Sequence, residues 1–200
     1  MAKVAEVLAW IGYVERIIYL LRADVARNGR KTMKALTIHN PFAHLLITPQ
    51  DELPAGAIHK RCENRTWPAP FRGRFAIHAG VSLDWFDYDT WPNVPESGKL
   101  RKDHFPDMAF GAIVGIADIT DCVWMENVRA GKAPDKFDWM LDHVHAEGPY
   151  CFIVENVIRL ADPIPCAGQQ KFWTVPSGVE AAIVEQIGDL ASDAVRYVCG

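Results

Sequence analysis

The chain has 200 residues, half of them hydrophobic, which suits one globular domain with an appendage better than two full domains. Its net charge of -4 argues against a protein that coats nucleic acid through bulk charge, so any contact with nucleic acid would be local. The five cysteines form no C-x-x-C pair, and no apolar run reaches the length of a membrane span. We therefore expect a cytoplasmic protein with reduced thiols and no membrane contact.

Residues 1–32 are predicted to form an amphipathic helix that ends at Asn28-Gly29. Its apolar seam has a seven-residue period and comprises Val4, Val7, Ile11, Val14, Ile18, Leu21 and Val25. A stripe of this size requires a partner. The alternatives are the C-terminal helix of the same chain, which we favour, and a homodimer through residues 1–32.

The middle of the chain is predicted to consist mainly of strands and turns. A short helix should begin after Asn40 as N-cap, with Pro41 as its first residue, and extend through Ile47. The predicted strands are Lys34–Ile38, Arg74–His78, Ala112–Ile119 and Cys151–Leu160. A helix followed by a long loop is expected in Trp85–Asp107, and a peripheral helix in Met125–Glu147.

A last helix is predicted over residues 177–200. Ser177-Gly178-Val179-Glu180 has the form of a capping box, and an apolar stripe of Ile183, Ile187 and Leu190 follows at helical spacing. Together, these elements indicate a small β-barrel surrounded by helices.

The segment His59–Trp67 contains the most informative polar residues of the chain. On an ideal strand Glu63 and Arg65 share one face and Lys60 lies on the other, so Lys60 can meet Glu63 only if the backbone turns between them. An ordinary ion pair on a solvated strand explains Glu63 and Arg65 equally well. The functional alternative is a pocket in which Arg65 orders Glu63 and Lys60 faces an anionic or carbonyl group of a ligand.

Further residues near this segment favour the pocket. Stacking combined with cations is the recurrent way to hold a nucleobase, and the candidates for it are Trp67, Arg72, Arg74 and His78. Asp118, at the end of an apolar strand, could prepare Lys60 as a general base, although a simple turn residue is the other explanation. We predict no metal site and no cofactor, because the histidines and cysteines lack ligand spacing.

Several strings occur together in an order that resembles the ASCH (activating signal cointegrator homology) domain. They are Leu36-Thr37-Ile38-His39-Asn40-Pro41-Phe42-Ala43, the Lys60-x-x-Glu63-x-Arg65 core, Arg72 to Gly80, Gly111 to Gly115, Gly148 to Phe152, Pro163 to Gly168 and Phe172-Trp173. The resemblance covers residues 33–176. Residues 1–32 are then an addition to the family pattern, or the product of an upstream start codon.

The resemblance implies an α+β fold with a PUA-like β-barrel and a cleft for RNA, single-stranded nucleic acid or a modified nucleoside. Of the family's G-x-K-x-x-E-x-R hallmark, Lys60, Glu63 and Arg65 match, whereas Ile58 replaces the glycine and residues 48–56 form an insertion. Some relatives are amidohydrolases of acylated cytidine and others ribonucleases. The amidohydrolases use a lysine and a threonine three residues later, but Glu63 stands here, and a carboxylate cannot replace a hydroxyl nucleophile.

Three functions therefore remain as predictions. The first is a binding module for RNA, single-stranded nucleic acid or a modified nucleoside. The second is a small hydrolase, either a nucleoside amidohydrolase or a ribonuclease, with Lys60, Glu63 and Asp118 as catalytic residues. The third is a platform for protein interaction. We rank binding above catalysis.

Overall fold

A computed structural model describes residue 12, residues 32–86, 91, 92 and 94, and residues 99–199, with side chains through Asp189. Six strands form one mixed sheet in the order β2-β5-β4-β3-β1-β6. The strands are β1 Lys34–Ile38, β2 Cys62–Arg65, β3 Gly73–Ala79, β4 Ala112–Trp124, β5 Tyr150–Pro165 and β6 Phe172–Thr174. The helices are α1 Phe42–Ile47, α2 Met125–Arg129 and α3 Ser177–Cys199, with 3₁₀ turns at Gln50–Glu52, Lys102–His104 and Asp135–Leu141.

The sheet curls into a half-barrel, which agrees with the predicted α+β, PUA-like class. All neighbouring strands are antiparallel except β1 and β3, which run parallel. β4 and β5 are the longest strands, and their pairing extends from Ala112 opposite Pro165 to Trp124 opposite Tyr150. The register of this pair shifts at three places, and such bulges increase the twist and bend of a sheet.

Apolar side chains cover both faces of the sheet because successive residues of a strand point to opposite sides. Ala35 belongs to one core cluster and its neighbour Leu36 to the other. On the first face α3 packs through Ile183 and Ile187, both with 0% of their surface exposed. On the second face α1 packs through Ala43 and Leu46.

The four predicted strands are confirmed, and β4 and β5 are longer than predicted. The single helix expected over Met125–Glu147 is wrong: α2 ends at Arg129, and a 3₁₀ turn follows from Asp135. Gly131 has a φ of +64°, a left-handed conformation that terminates a helix. The strand β6 has only three residues and was not predicted from the sequence.

One of the two predicted helix starts is confirmed, and the other is shifted by one residue. The last helix begins at Ser177, as predicted. The first begins at Phe42 instead of Pro41, and the Asn40 side chain accepts a hydrogen bond from the His44 backbone N–H at 3.3 Å. In the segment 85–107, the described residues contain only the 3₁₀ turn at Lys102–His104, and the predicted helix falls largely outside them.

The predicted helix over residues 1–32, with its homodimer or intrachain partner, lies almost entirely outside the described residues and remains a prediction. Within the part of the chain that is described, no helix is long and apolar enough to cross a membrane.

Candidate functional site

Two concave surfaces lie side by side and share the residues His39 and Arg65. The first, which we call the inner cavity, has a volume of about 220 Å³ and lies between α1, the start of β2 and the segment around His145. The second, the outer groove, has a volume of about 840 Å³ and runs along the loop between β5 and β6. Pockets for small organic ligands span roughly 300 to 1,000 Å³, so the pair offers space for a ligand larger than one ring system.

Four charged side chains line the inner cavity: Lys60, Glu63, Arg65 and Glu147. Lys60 and Glu63 meet because the strand has not yet begun at Lys60. Its backbone N–H donates to the Leu45 carbonyl of α1 at 3.0 Å, and β2 starts only at Cys62. The turn that the sequence required between Lys60 and Glu63 is therefore present.

The Lys60 ammonium is buried but poorly satisfied. The residue is 2% exposed, its Nζ lies 3.7 Å from Glu63 Oε2, and it sits 4.8 Å from the centre of the Phe42 ring. The distance to Glu63 exceeds that of a hydrogen bond, and Nζ makes no hydrogen bond to any other residue that the structure describes. An ammonium has three N–H donors, so this group can still donate to a ligand in the cavity.

Arg65 holds Glu63 in place. Its Nη2 atom lies 2.9 Å from Glu63 Oε1 and donates to the Thr37 carbonyl of β1 at 2.7 Å. This anchoring leaves Glu63 Oε2 as the oxygen that faces Lys60. Because Glu63 carries the negative charge between two cations, its carboxylate can accept from a donor such as an exocyclic amine.

Rings form the remaining walls of the inner cavity: His39, Phe42, Trp85 and His145. Trp85 is 53% exposed and faces His39 with ring centres 6.2 Å apart and an angle of 18° between the planes. Burial lowers the pKa of His39, and the nearby Arg65 lowers it further. Burial and the Lys60 charge lower the pKa of His145 to about 4, so both imidazoles are neutral at pH 7.

Trp67 and His78 line the outer groove and not the inner cavity. Trp67 packs edge-on against Phe152 at 5.2 Å and Phe172 at 5.6 Å, so it forms a wall of the groove. His78 is 2% exposed, its Nε2 donates to the Cys166 carbonyl at 2.9 Å, and burial lowers its pKa. Both are thus held by the core beneath the groove.

Arg72, Arg74 and Asp118 line neither concave surface. Arg74 stands opposite Asp118 in the pairing of β3 with β4, and Arg74 Nη2 lies 3.1 Å from Asp118 Oδ2. Arg72 lies 3.5 Å from Asp121. The strand register therefore pairs Arg74 with a carboxylate of β4, and Arg72, which precedes β3, lies beside a second one. The arrangement does not place Asp118 beside Lys60 and gives no support to the acid-base role that we predicted for it.

The ring walls of the inner cavity were not identified from the sequence as ligand contacts. The sequence predicted no ligand contact for His39, Phe42, Trp85 or His145, and of the histidines only His78 was a candidate. His39 and Phe42 fall within one of the family strings, which could have identified them. Nothing in the sequence links Trp85 or His145 to Lys60, because the fold alone brings them together.

Comparison with known proteins adds a distant relationship. No family model matches the chain. Over 154 residues it is 25% identical to activating signal cointegrator 1 from human and, equally, from mouse, in a match that covers 72% of this chain. The similarity supports an ASCH-type domain. The match covers 22% of either relative, so the chain spans about a fifth of the length of these proteins.

The departure of this chain from the ASCH-type hallmark has a structural explanation. Ile58 occupies the glycine position, is 44% exposed, and its carbonyl accepts a hydrogen bond from His145 Nε2 at 2.9 Å. Because this position is exposed, it has room for an isoleucine side chain in place of glycine. Two hydrogen bonds, from His145 to the Ile58 carbonyl and from the Lys60 N–H to the Leu45 carbonyl, hold the backbone that leads into the motif, so no glycine is required there.

Proposed function

We propose that the chain is an ASCH-type binding module whose inner cavity holds the base of RNA, single-stranded nucleic acid or a modified nucleoside. The observation that carries the proposal is the buried Lys60 ammonium, which has unused donors inside a ring-walled cavity. A base offers carbonyl oxygens for those donors, amine hydrogens for Glu63 and a flat surface for the rings.

The aromatic surroundings support a planar ligand. The Lys60 ammonium lies 4.8 Å from the centre of the Phe42 ring, and the His145 ring meets Phe42 edge-on with ring centres 6.0 Å apart. Trp85, exposed at the rim, supplies a face on which a base can stack, an interaction worth about 1 to 3 kcal/mol per base. In this respect Trp85 takes the role that we had predicted for Trp67.

The second candidate is a small hydrolase, and one observation favours it: a lysine and a carboxylate lie 3.7 Å apart in a cavity. Such a pair can exchange protons with a substrate. However, none of the described residues that line the cavity carries a hydroxyl or thiol nucleophile, since Thr66 lines the outer groove instead. A hydrolase would have to activate water, so we rank binding first.

The test is a panel of the four ribonucleosides, N4-acetylcytidine and short RNAs, scored by calorimetry for binding and by chromatography for turnover. Saturable binding without product supports the module. Product that forms with the wild-type chain and disappears with Lys60→Met supports the hydrolase. If no member of the panel binds or reacts, the proposal is wrong.

A further inference from the structure

The two concave surfaces differ in charge. In the inner cavity the cations Lys60 and Arg65 are balanced by the carboxylates of Glu63 and Glu147. The outer groove contains no carboxylate among its described lining residues, and its two cations are Arg65 and Lys171. The inner cavity therefore suits a neutral polar group, and the outer groove suits an anion.

Lys171 is held in an unusual position. Its φ is +58°, a left-handed conformation that a residue other than glycine rarely adopts and that costs about 1 kcal/mol or more. The following residue, Phe172, begins β6 and packs edge-on against Phe71 at 4.7 Å and Trp67 at 5.6 Å. These contacts fix the residue that follows Lys171, so the lysine is presented next to an anchored strand.

The Lys171 side chain is exposed and makes no ion pair or hydrogen bond with any described residue. By contrast, Arg72 is paired with Asp121 and Arg74 with Asp118. An uncompensated lysine beside a groove that also contains Arg65 provides positive charge for a ligand oxygen.

We propose that Lys171 and Arg65 bind a backbone phosphate of a single-stranded nucleic acid, one base of which occupies the inner cavity. This proposal rests on the proposed function and narrows its ligand to a single strand, held through a phosphate as well as a base. Arg65 lies at the boundary of the two surfaces and so marks where base and phosphate meet. The strand is single because a paired base cannot enter a cavity without leaving its stack.

The probe is a fluorescently labelled decamer, in homopolymers of A, C and U as RNA and of A, C and T as DNA, titrated by anisotropy at several salt concentrations. Lys171→Gln should weaken decamer binding about tenfold, and the slope of log K against log salt should fall by about 0.7, the value for one phosphate of a single strand. Affinity for free nucleosides should not change. Stronger binding of RNA than of DNA, or the reverse, shows which strand the groove prefers.

Two further variants keep the result decisive. Lys171→Gly removes the side chain and relaxes the backbone at φ +58°, so it should weaken decamer binding while the melting temperature stays equal or rises. Lys132→Gln, on an exposed lysine that lines neither surface, is the matched control. Unchanged decamer affinity and salt slope in Lys171→Gln overturn this inference even if nucleosides bind. A different result would refute the proposed function itself: Lys60→Met would then change neither nucleoside affinity nor decamer affinity.

Discussion

The substitution Lys60→Met removes one charge from the inner cavity and retains the length of the apolar stem. Removing one partner of a buried ion pair usually costs 3 to 5 kcal/mol, roughly, because the other charge is left uncompensated. Here Glu63 keeps Arg65 at 2.9 Å, and the lost contact with Lys60 is long, at 3.7 Å. Relief of the buried ammonium offsets the lost contact, so the free energy of unfolding should stay within about 1 kcal/mol of wild type.

Binding should respond far more strongly than stability. A hydrogen bond that involves a charged group contributes about 1.5 to 3 kcal/mol, which corresponds to a loss of about 10- to 100-fold in affinity for nucleoside or short RNA. Urea denaturation measures the first quantity and calorimetric titration the second. We therefore expect a variant with a normal fold and a defective site.

A matched control is available in Lys136→Met. Lys136 also contacts one carboxylate, Asp121 at 3.3 Å, and one ring, Phe137 at 4.5 Å, but it is 65% exposed and lines neither surface. Its substitution should leave affinity unchanged. If Lys60→Met binds as tightly as wild type, or if it loses more than about 3 kcal/mol of stability, the site has been assigned wrongly.

Three other changes test the same geometry. Gly80→Ala would place a Cβ 2.4 Å from Nδ1 of His39, so we expect displacement of that ring, weaker ligand binding and a loss of about 1 to 3 kcal/mol in stability. Asp118→Asn weakens the contacts with Arg74 and with Asn156, which donates to Asp118 Oδ2 at 3.1 Å, so affinity and turnover should be unchanged and stability should fall by about 1 kcal/mol. Acid should destabilise the fold, because the pKa of His145 is near 4 in the folded protein and 6.5 in the unfolded chain. The stabilisation from the neutral imidazole is fully present above pH 6.5, and the free energy of unfolding falls by up to about 3 kcal/mol by pH 4.

Each of these expectations has a control variant or an outcome that would contradict it. Gly178→Ala adds a Cβ with nothing within 4 Å and should be tolerated, which isolates the effect of contact at Gly80. Loss of binding in Asp118→Asn would restore the acid-base role that the geometry does not support. His145→Gln should reduce the loss of stability at low pH. Part of the loss should remain, because burial also lowers the pKa of His44 to about 4. Equal urea midpoints at pH 7 and pH 4.5 would contradict the assignment of neutral buried histidines.

The framework of the sheet could be predicted from the sequence because its strands are nearly continuous apolar runs bounded by glycine and proline. The roles of Arg72 and Arg74 were harder to predict, since these residues lie near Lys60 only along the chain. Their partners depend on the register of β3 against β4, which places Arg74 opposite Asp118. A register of this kind follows from the pairing of distant strands and leaves no local signal.

The spacing of the Lys60, Glu63 and Arg65 motif predicts part of its backbone path. Positions i, i+3 and i+5 cannot share one face of a strand, so the motif itself requires an irregular backbone. The sequence predicts that irregularity but not its cause, which is the hydrogen bond from Lys60 to Leu45 of α1 that delays the start of β2. The same helix presents Phe42 to the ammonium. One short helix thus sets both the position and the surroundings of Lys60, and the chemistry of the motif depends on a contact that its own residues do not encode.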